Sequence, residues 1–254
     1  MAFPTAVSGS AGYDKTTSTT QKHRLGTKMQ YNDGRVFYYS KAAEAITAGQ
    51  LTMGSQSATD HDTGLVVVSG AAGATRIVVT NGGSTAVTGS GKFTGDFATR
   101  GDYVDGYLFI NDVTGQGQIF QIEDHSSAAT GAALTIDLAD NESVQTALTT
   151  SSRVGLHKPV GHSVEMWDAS DIDGPPLGVP THDIASGEYF WNQTAGPAAV
   201  LTAGTLVLGN EAFSSTDGAV GPSASDNSAE ARVGTVLAVE GAGNYSLIDL
   251  AIKF

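Results

Sequence analysis

Along the chain, hydrophobic residues fall in short β-favouring runs separated by turn residues, and a sustained 3.6-residue stripe is absent. In "YNDGRVFYY" (31–39), Asn32-Asp33-Gly34 tolerates the positive φ of a tight hairpin turn, and Val36 to Tyr39 follow as a strand. "LVVVSGAAGATRIVVTNGG" (65–83) predicts two strands around a Gly/Ala linker, with Asn81-Gly82-Gly83 as the next turn. "YLFINDVTGQGQIFQIEDH" (107–125) predicts two more around Gly115 and Gly117. A strand is expected at 133–138, then one short helix capped by Asp140 or Asn141 with Val144, Ala147 and Leu148 on one face. A strand at Arg153–His157 closes this block, and Pro159 punctuates it.

After residue 160 brief β runs are broken by Gly every 8–12 residues or so, the rhythm of a sandwich or barrel. The last is a hairpin around Gly241-Ala-Gly243, setting Val236, Leu237 and Val239 against Leu247, Ile248 and Leu250. Ile46-Thr-Ala-Gly49 and Leu201-Thr-Ala-Gly204 read as equivalent turns, with Ile184-Ala-Ser-Gly187 as a looser third copy. The block between them lacks this echo. The expected fold is therefore all-β: a discontinuous β-barrel or sandwich domain (26–64 and 160–254) carrying an inserted β-rich domain (65–159). Residues 1–25 show no hydrophobic period, and are expected to be disordered or an extended N-terminal arm ordered by a neighbour.

Composition agrees with a turn-rich β chain: 32 Gly, 40% hydrophobic and 15% charged residues among 254. Zero Cys excludes disulfides, thiolate metal sites and thiol nucleophiles. The opening residues lack a basic start followed by an apolar run, so a chain made in the cytoplasm is expected, and the sequons at Asn141 and Asn192 read as chance. The longest uncharged stretch, Tyr189 to Asn210, is too polar for a membrane span. The net charge of −13 is uneven: residues 1–41 hold six bases and two acids, the remainder seven bases and twenty-four acids. Such an acidic body does not suit nucleic acid, which requires clustered Lys and Arg. The basic lead, with Lys15, Lys22, Arg24 and Lys28, is read either as a docking surface for a partner's negative patches or as simple solubility.

Candidate chemistry is sparse. "GSGKF" (89–93) is no phosphate loop, because Ala86 and Phe93 stand where glycine and the metal-binding hydroxyl belong. His157, His162 and Glu165 lack ligand spacing on a helix. Asp60 and Asp62, and Asp168, Asp171 and Asp173, are acidic surface turns or loose calcium loops; neither group completes an EF-hand. Tyr189-Phe190-Trp191 reads as core before sugar platform, because adjacent strand residues point to opposite faces. No catalytic, cofactor-binding or metal residues are expected, although abundant Asp and Glu leave open a polysaccharide-acting enzyme.

"LGTKMQYNDGRVFYYSKAAEAITAGQL" resembles the start of virion proteins of tailed bacteriophages, and "GDYVDGYLFINDVTGQGQIFQIEDH" is similar to their middle segment. The stretch from "GVPTHDIASGEYF" to "RVGTVLAVEGAGNYSLIDLAIKF" resembles the compact β-fold of capsid decoration (cement) proteins. The resemblance covers most of the chain after residue 25 and transfers no catalytic residues. It implies a structural protein on the outer surface of the virion head, stapling major capsid protein subunits, commonly as a homotrimer, without nucleic acid or membrane partners. The alternative is a tail or fibre component gripping host glycans.

Overall fold

The computed structural model describes residues 6–54, 65–80, 103–126, 133–170, 172, 174–223 and 230–253. The chain is all-β, with two curled sheets. It forms two compact units, one of Met1–Ser55 with Val160–Phe254 and the other Gln56–Pro159. The strands of the first unit's leading part are β1 (Ala6–Ser8), β2 (Lys28–Gln30), β3 (Val36–Lys41) and β4 (Thr52–Gly54), with a 3-10 turn at Tyr13–Lys15. The second unit holds β5 (Leu65–Ser69), β6 (Arg76–Thr80), β7 (Tyr107–Asp112), β8 (Ile119–His125), β9 (Ala133–Leu138) and β10 (Arg153–His157). The first unit resumes with β11 (Val164–Met166), β12 (Pro176–Pro180), β13 (Tyr189–Leu201) and β14 (Glu211–Ser214). It ends with β15 (Val220–Gly221), β16 (Arg232–Ala238) and β17 (Tyr245–Ala251).

In the second unit the strands close in the order β10-β5-β6-β9-β8-β7. Alternation drives the closure: Leu134, Ile136 and Leu138 point inward with Ile77, Val79, Leu108, Ile110 and Ile122, and the intervening residues face out. His125 is buried here. Its Nε2 accepts the Tyr103 N–H (3.2 Å), so Nδ1 carries the proton and donates to the Ser126 carbonyl (2.9 Å).

The helix expected after Asp140 does not form. Asn141 adopts φ 68°, and the backbone from Val144 to Leu148 bonds to neighbours outside the segment. Val144 and Leu148 donate to the Ala74 and Gly70 carbonyls (2.9 and 2.7 Å). The Gln118 side-chain oxygen accepts the N–H groups of Gln145 and Thr146 (2.8 and 3.1 Å). One amide side chain thus takes donors that a helix would have turned inward.

The first unit's main sheet runs β1-β2-β3-β13-β17-β16-β14-β15, with β4, β11 and β12 branching from it. The expected hairpin at 32–34 forms: Gly34 has φ 92° and Tyr31 N–H donates to the Arg35 carbonyl (2.9 Å). The brief runs expected after 160 give way to the thirteen-residue β13, which continues through Gly196 and Pro197. Pro197 lies at the same parity as Leu201, whose N–H points away from β17 to the Gly49 carbonyl (2.8 Å). The missing proline N–H therefore falls on the flank where no ladder needs it.

The turn echo resolves differently from its lettering. Ile46-Thr-Ala-Gly49-Gln50 and Ile184-Ala-Ser-Gly187-Glu188 are twins. Each closes with a backbone bond (Gln50 to Thr47 and Glu188 to Ala185, both 3.2 Å), and the Gln50 and Glu188 side chains accept the Thr47 and Ala185 N–H groups. The twins also pair with each other through reciprocal Ile46–Ile184 bonds (3.0 and 2.9 Å), and Gly49 donates to Pro180 as Gly187 donates to Ala42. Leu201-Thr-Ala-Gly204 shares the positive φ, but Thr205 stands where the twins carry Gln or Glu. Its Leu201, Thr202 and Ala203 N–H groups go to Gly49, Asn244 and Val220.

Gly49 and Gly187 have φ 77° and 82°, yet they differ in surroundings. A methyl group at Gly187 meets open space, whereas at Gly49 it would lie 2.5 Å from the Tyr245 ring and 2.9 Å from the Ala199 carbonyl oxygen. Gly187→Ala is therefore expected to cost about 1–2 kcal/mol for backbone strain alone. Gly49→Ala should cost a further ~1–3 kcal/mol for overpacking. Denaturant titration of the two variants checks this order. Gln118→Ala is expected to lose only about 1 kcal/mol, because water can reach the Gln145 and Thr146 amides it abandons; hydrogen exchange should accelerate at those two positions.

Candidate functional site

β3 and β13 lie side by side in antiparallel register, so Phe37 and Tyr39 share a face with Trp191, joined by Met29 and Tyr31 from β2 and the turn that follows it. Phe190 turns to the opposite face, among Ile46, Val164, Leu177 and Ile184. The aromatic trio at 189–191 is thus divided between two cores. It forms no continuous platform.

Residues 6–25, expected to find order only on a neighbour, pack on this aromatic face of their own unit. Val7 and Leu25 join the cluster from its edges. β1 adds to β2 in parallel, with Ala6 opposite Lys28. The His23 ring lies 5.2 Å from Trp191 and edge-on to Tyr39 at 5.1 Å, and Tyr13 lies 6.3 Å from Trp191. Ser18 and Tyr189 exchange two backbone hydrogen bonds (3.0 and 2.8 Å), and the Lys22 N–H donates to the Tyr39 hydroxyl (3.0 Å). A hydrophobic-period reading misses this segment, because it is covered by sparse aromatic and backbone contacts and carries no stripe of its own. The available signal was Tyr13 and His23, single rings in a Gly/Ser/Thr background.

Asp14, Tyr31 and Arg35 fasten the segment. Asp14 is buried, and its N–H donates to the Tyr31 hydroxyl (3.0 Å). That hydroxyl lies 2.6 Å from the Ser10 carbonyl and 2.9 Å from the Asp14 carboxylate, donating its one proton to one acceptor at a time. The Arg35 guanidinium sits 3.6 Å from the other Asp14 oxygen and 4.7 Å above the Tyr31 ring, and its Nε donates to Asp33 (2.9 Å). Burial raises the Tyr31 pKa above its ordinary value, helped by the Asp14 charge and opposed by the Asp14 N–H and by Arg35. Hydrogen bonds from the Arg35 backbone and guanidinium hold Asp33 below the usual carboxylate range.

Beside this anchor opens a cleft of about 550 Å³, within the roughly 300–1,000 Å³ range of small-molecule sites. Asp14, Lys15, Arg35 and Asp183 line it with two charges of each sign, and Thr47 and Tyr245 add hydroxyls. The balance gives no excess charge with which to draw an ion. His182 is half-buried, and both its ring nitrogens are shielded without hydrogen-bond partners among the described residues. Burial lowers its pKa, outweighing the nearby Asp14, Glu188 and Asp183 carboxylates. Burial lowers His23 likewise.

The four basic residues singled out by sequence are spread along the leading segment. Lys15 ends the 3-10 turn and lines the cleft, Lys22 and Arg24 are exposed in the following loop, and Lys28 is half-buried in β2. His157 bonds to its neighbour's carbonyl and His162 to the Ser163 hydroxyl. Asp168 accepts two bonds from Ser170 (both 2.7 Å), an ordinary acidic turn. Asp60, Asp62, Asp171, Asp173, the turn at 81–83 and the "GSGKF" stretch lie outside the described residues. Among the described residues no group of three or more His, Asp or Glu is placed to hold a metal, and no helix is long and apolar enough to cross a membrane. No protein-family model, curated protein or solved structure matches the chain.

Tyr31→Phe removes the hydroxyl that joins Ser10 and Asp14, so amide exchange at Asp14 should rise about tenfold or more. His23 and His182 set a pH dependence. Their folded pKa values lie below the ordinary 6.5, so between the two values the unfolded chain binds more protons than the folded one. Stability is then full above about pH 7 and declines as pH falls from 6.5 through the folded pKa values. His182→Phe, which deletes two unpartnered buried nitrogens, should flatten that decline in thermal melts between pH 8 and pH 5.

Proposed function

We propose that this chain is a structural virion protein of the phage decoration type, which binds the outer surface of a tailed-phage head and stabilises contacts between major capsid protein subunits. On this reading it is made in the host bacterial cytoplasm and acts as a homotrimer without catalysis. The first unit is its discontinuous β-domain, the second an inserted β-rich domain, and residues 1–25 an extended arm. The observation that carries the reading is how the leading segment is attached. β1 is the terminal strand of the sheet, added by parallel backbone pairing, and the segment behind it is clipped down by Asp14, Tyr31 and Arg35. Strand addition at a sheet edge is also how a segment of one subunit orders on another. Lys15, Lys22 and Arg24 in that segment, with Lys28 on the strand beside it, give a basic character suited to acidic patches on the capsid. Many weakly held copies then act together against internal DNA pressure.

Gold-labelled antibody against this chain should decorate virion heads; label at the tail tip instead would select the tail or fibre reading. Particles assembled with a chain lacking residues 2–25 should lose the protein or break at lower temperature. Full occupancy with normal heat resistance would remove the arm from the proposal.

A further inference from the structure

The first unit carries an apolar strip on a solvent-facing surface, where a sheet normally shows polar residues. Register places it. On β17, Ser246, Ile248 and Leu250 point into the core, so Tyr245 and Leu247 face out. Leu247 is flanked in register by Ala199 on β13 and Ala238 on β16. The ladder between β16 and β17 slips at Leu237, a bulge that leaves Leu237, Ala238 and Val239 exposed in succession. Beyond β16, Gly209 and Asn210 pair with Val236 and carry the turn that exposes Val207 and Leu208. Val207, Leu208, Leu237, Val239, Tyr245 and Leu247 are each between 38% and 65% exposed. Together they present on the order of 500 Å², near the upper end for the largest apolar patch on an ordinary monomer. That is also a large share of the ~800 Å² each partner contributes to a stable complex.

The rim decides what fits. One register row inward from Leu247, the outward residues are Glu211, Thr235, Asp249 and Pro197, and at the hairpin end stands Glu240. Arg232 pairs with Glu211 (2.6 Å), whereas Asp249 and Glu240 are exposed carboxylates. Two copies meeting through this same face would bring acidic rim against acidic rim, and the contacts of a trimer, which join unlike surfaces, do not require that pairing. A partner with an apolar ridge flanked by Lys or Arg meets both features of the surface.

We infer that the β13–β17–β16 face is a protein-docking surface for a partner whose apolar ridge is bordered by basic residues. Resting on the proposed function, that partner is the outer surface of the capsid, and this face contacts it in addition to the leading segment.

The test uses purified heads assembled without this chain, and measures binding of the full-length protein by sedimentation. Leu237→Asp with Leu247→Asp changes exposed side chains only, and thermal melting confirms that the variant folds. The double variant should bind at least roughly 30-fold more weakly than the parent. Asp249→Lys with Glu240→Lys should also weaken binding, and should reduce its loss on adding salt. If the parent binds heads and both variants bind as well as it does, the docking face is wrong and the proposed function stands. If the parent does not bind heads, both fall. If the parent is an oligomer that Leu237→Asp with Leu247→Asp splits while head binding survives, the face is a self-contact and the inference is overturned.

Discussion

The first unit depends on one strand that changes partners halfway. β13 pairs with β3 from Tyr189 to Ala195 on one flank, and with β17 from Ala195 to Leu201 on the other. At the exchange the ladder with β3 slips between Gln193 and Ala195. The Gln193 side-chain amide lies 3.1, 3.2 and 2.9 Å from the carbonyls of Ala195, Gly196 and Pro197, sharing its protons among all three. Gly196, with φ 82°, has its Cα facing the Arg35 backbone, where a methyl group would lie 3.1 Å away. A buried amide and a glycine therefore allow a single strand to serve both the aromatic side of the sheet and the C-terminal core. That core gathers Val200, Val220, Val233, Val236, Ile248 and Leu250.

The same strand explains why the leading segment has somewhere to lie. Its first half presents Trp191 beside Tyr39, rings 5.0 Å apart, and Tyr189 stacks on Tyr39 at 5.8 Å. An aromatic face of this size is costly to leave in water. Residues 13–25 contribute few apolar side chains, yet they cover the face with Tyr13, His23 and a backbone exchange at Ser18. The segment is ordered by a surface made elsewhere in the chain. Its hold is a short strand, a few rings and one polar clip, fewer contacts than a packed core makes.

The second half of β13 faces different demands. Its inward residues, Ala198 and Val200, fill the C-terminal core, and Ala199 borders an outward strip with little charge in an otherwise acidic molecule. Buried polar groups in this region are spent on holding strands together. The Thr202 hydroxyl bonds to Ser246, Ser246 accepts the Glu240 N–H, and Thr52 links Asn192 to the Gly178 carbonyl. Such commitments fix the strands of this region against one another.

The all-β class, the 32–34 hairpin, the glycine corners at 115, 117 and 243, and the strands of 65–80 and 107–157 were legible in the residues, because each depends on near neighbours and a two-residue alternation. Tertiary structure decided the rest. The stretch after Asp140 carried a helical pattern, but Gln118, Gly70 and Ala74 supplied partners for its backbone from outside. The closest lettering, Ile46-Thr-Ala-Gly49 with Leu201-Thr-Ala-Gly204, was not the structural match. The weaker copy at Ile184 was, because the residue one past the glycine must accept a hydrogen bond, and only Gln50 and Glu188 do. Gly196-Pro197 reads as a stop, yet β13 passes through it, since the flank that loses the proline donor is one no neighbouring strand uses. Local chemistry chose strand and turn; which strand meets which, and which face reaches water, followed from contacts between residues far apart in the chain.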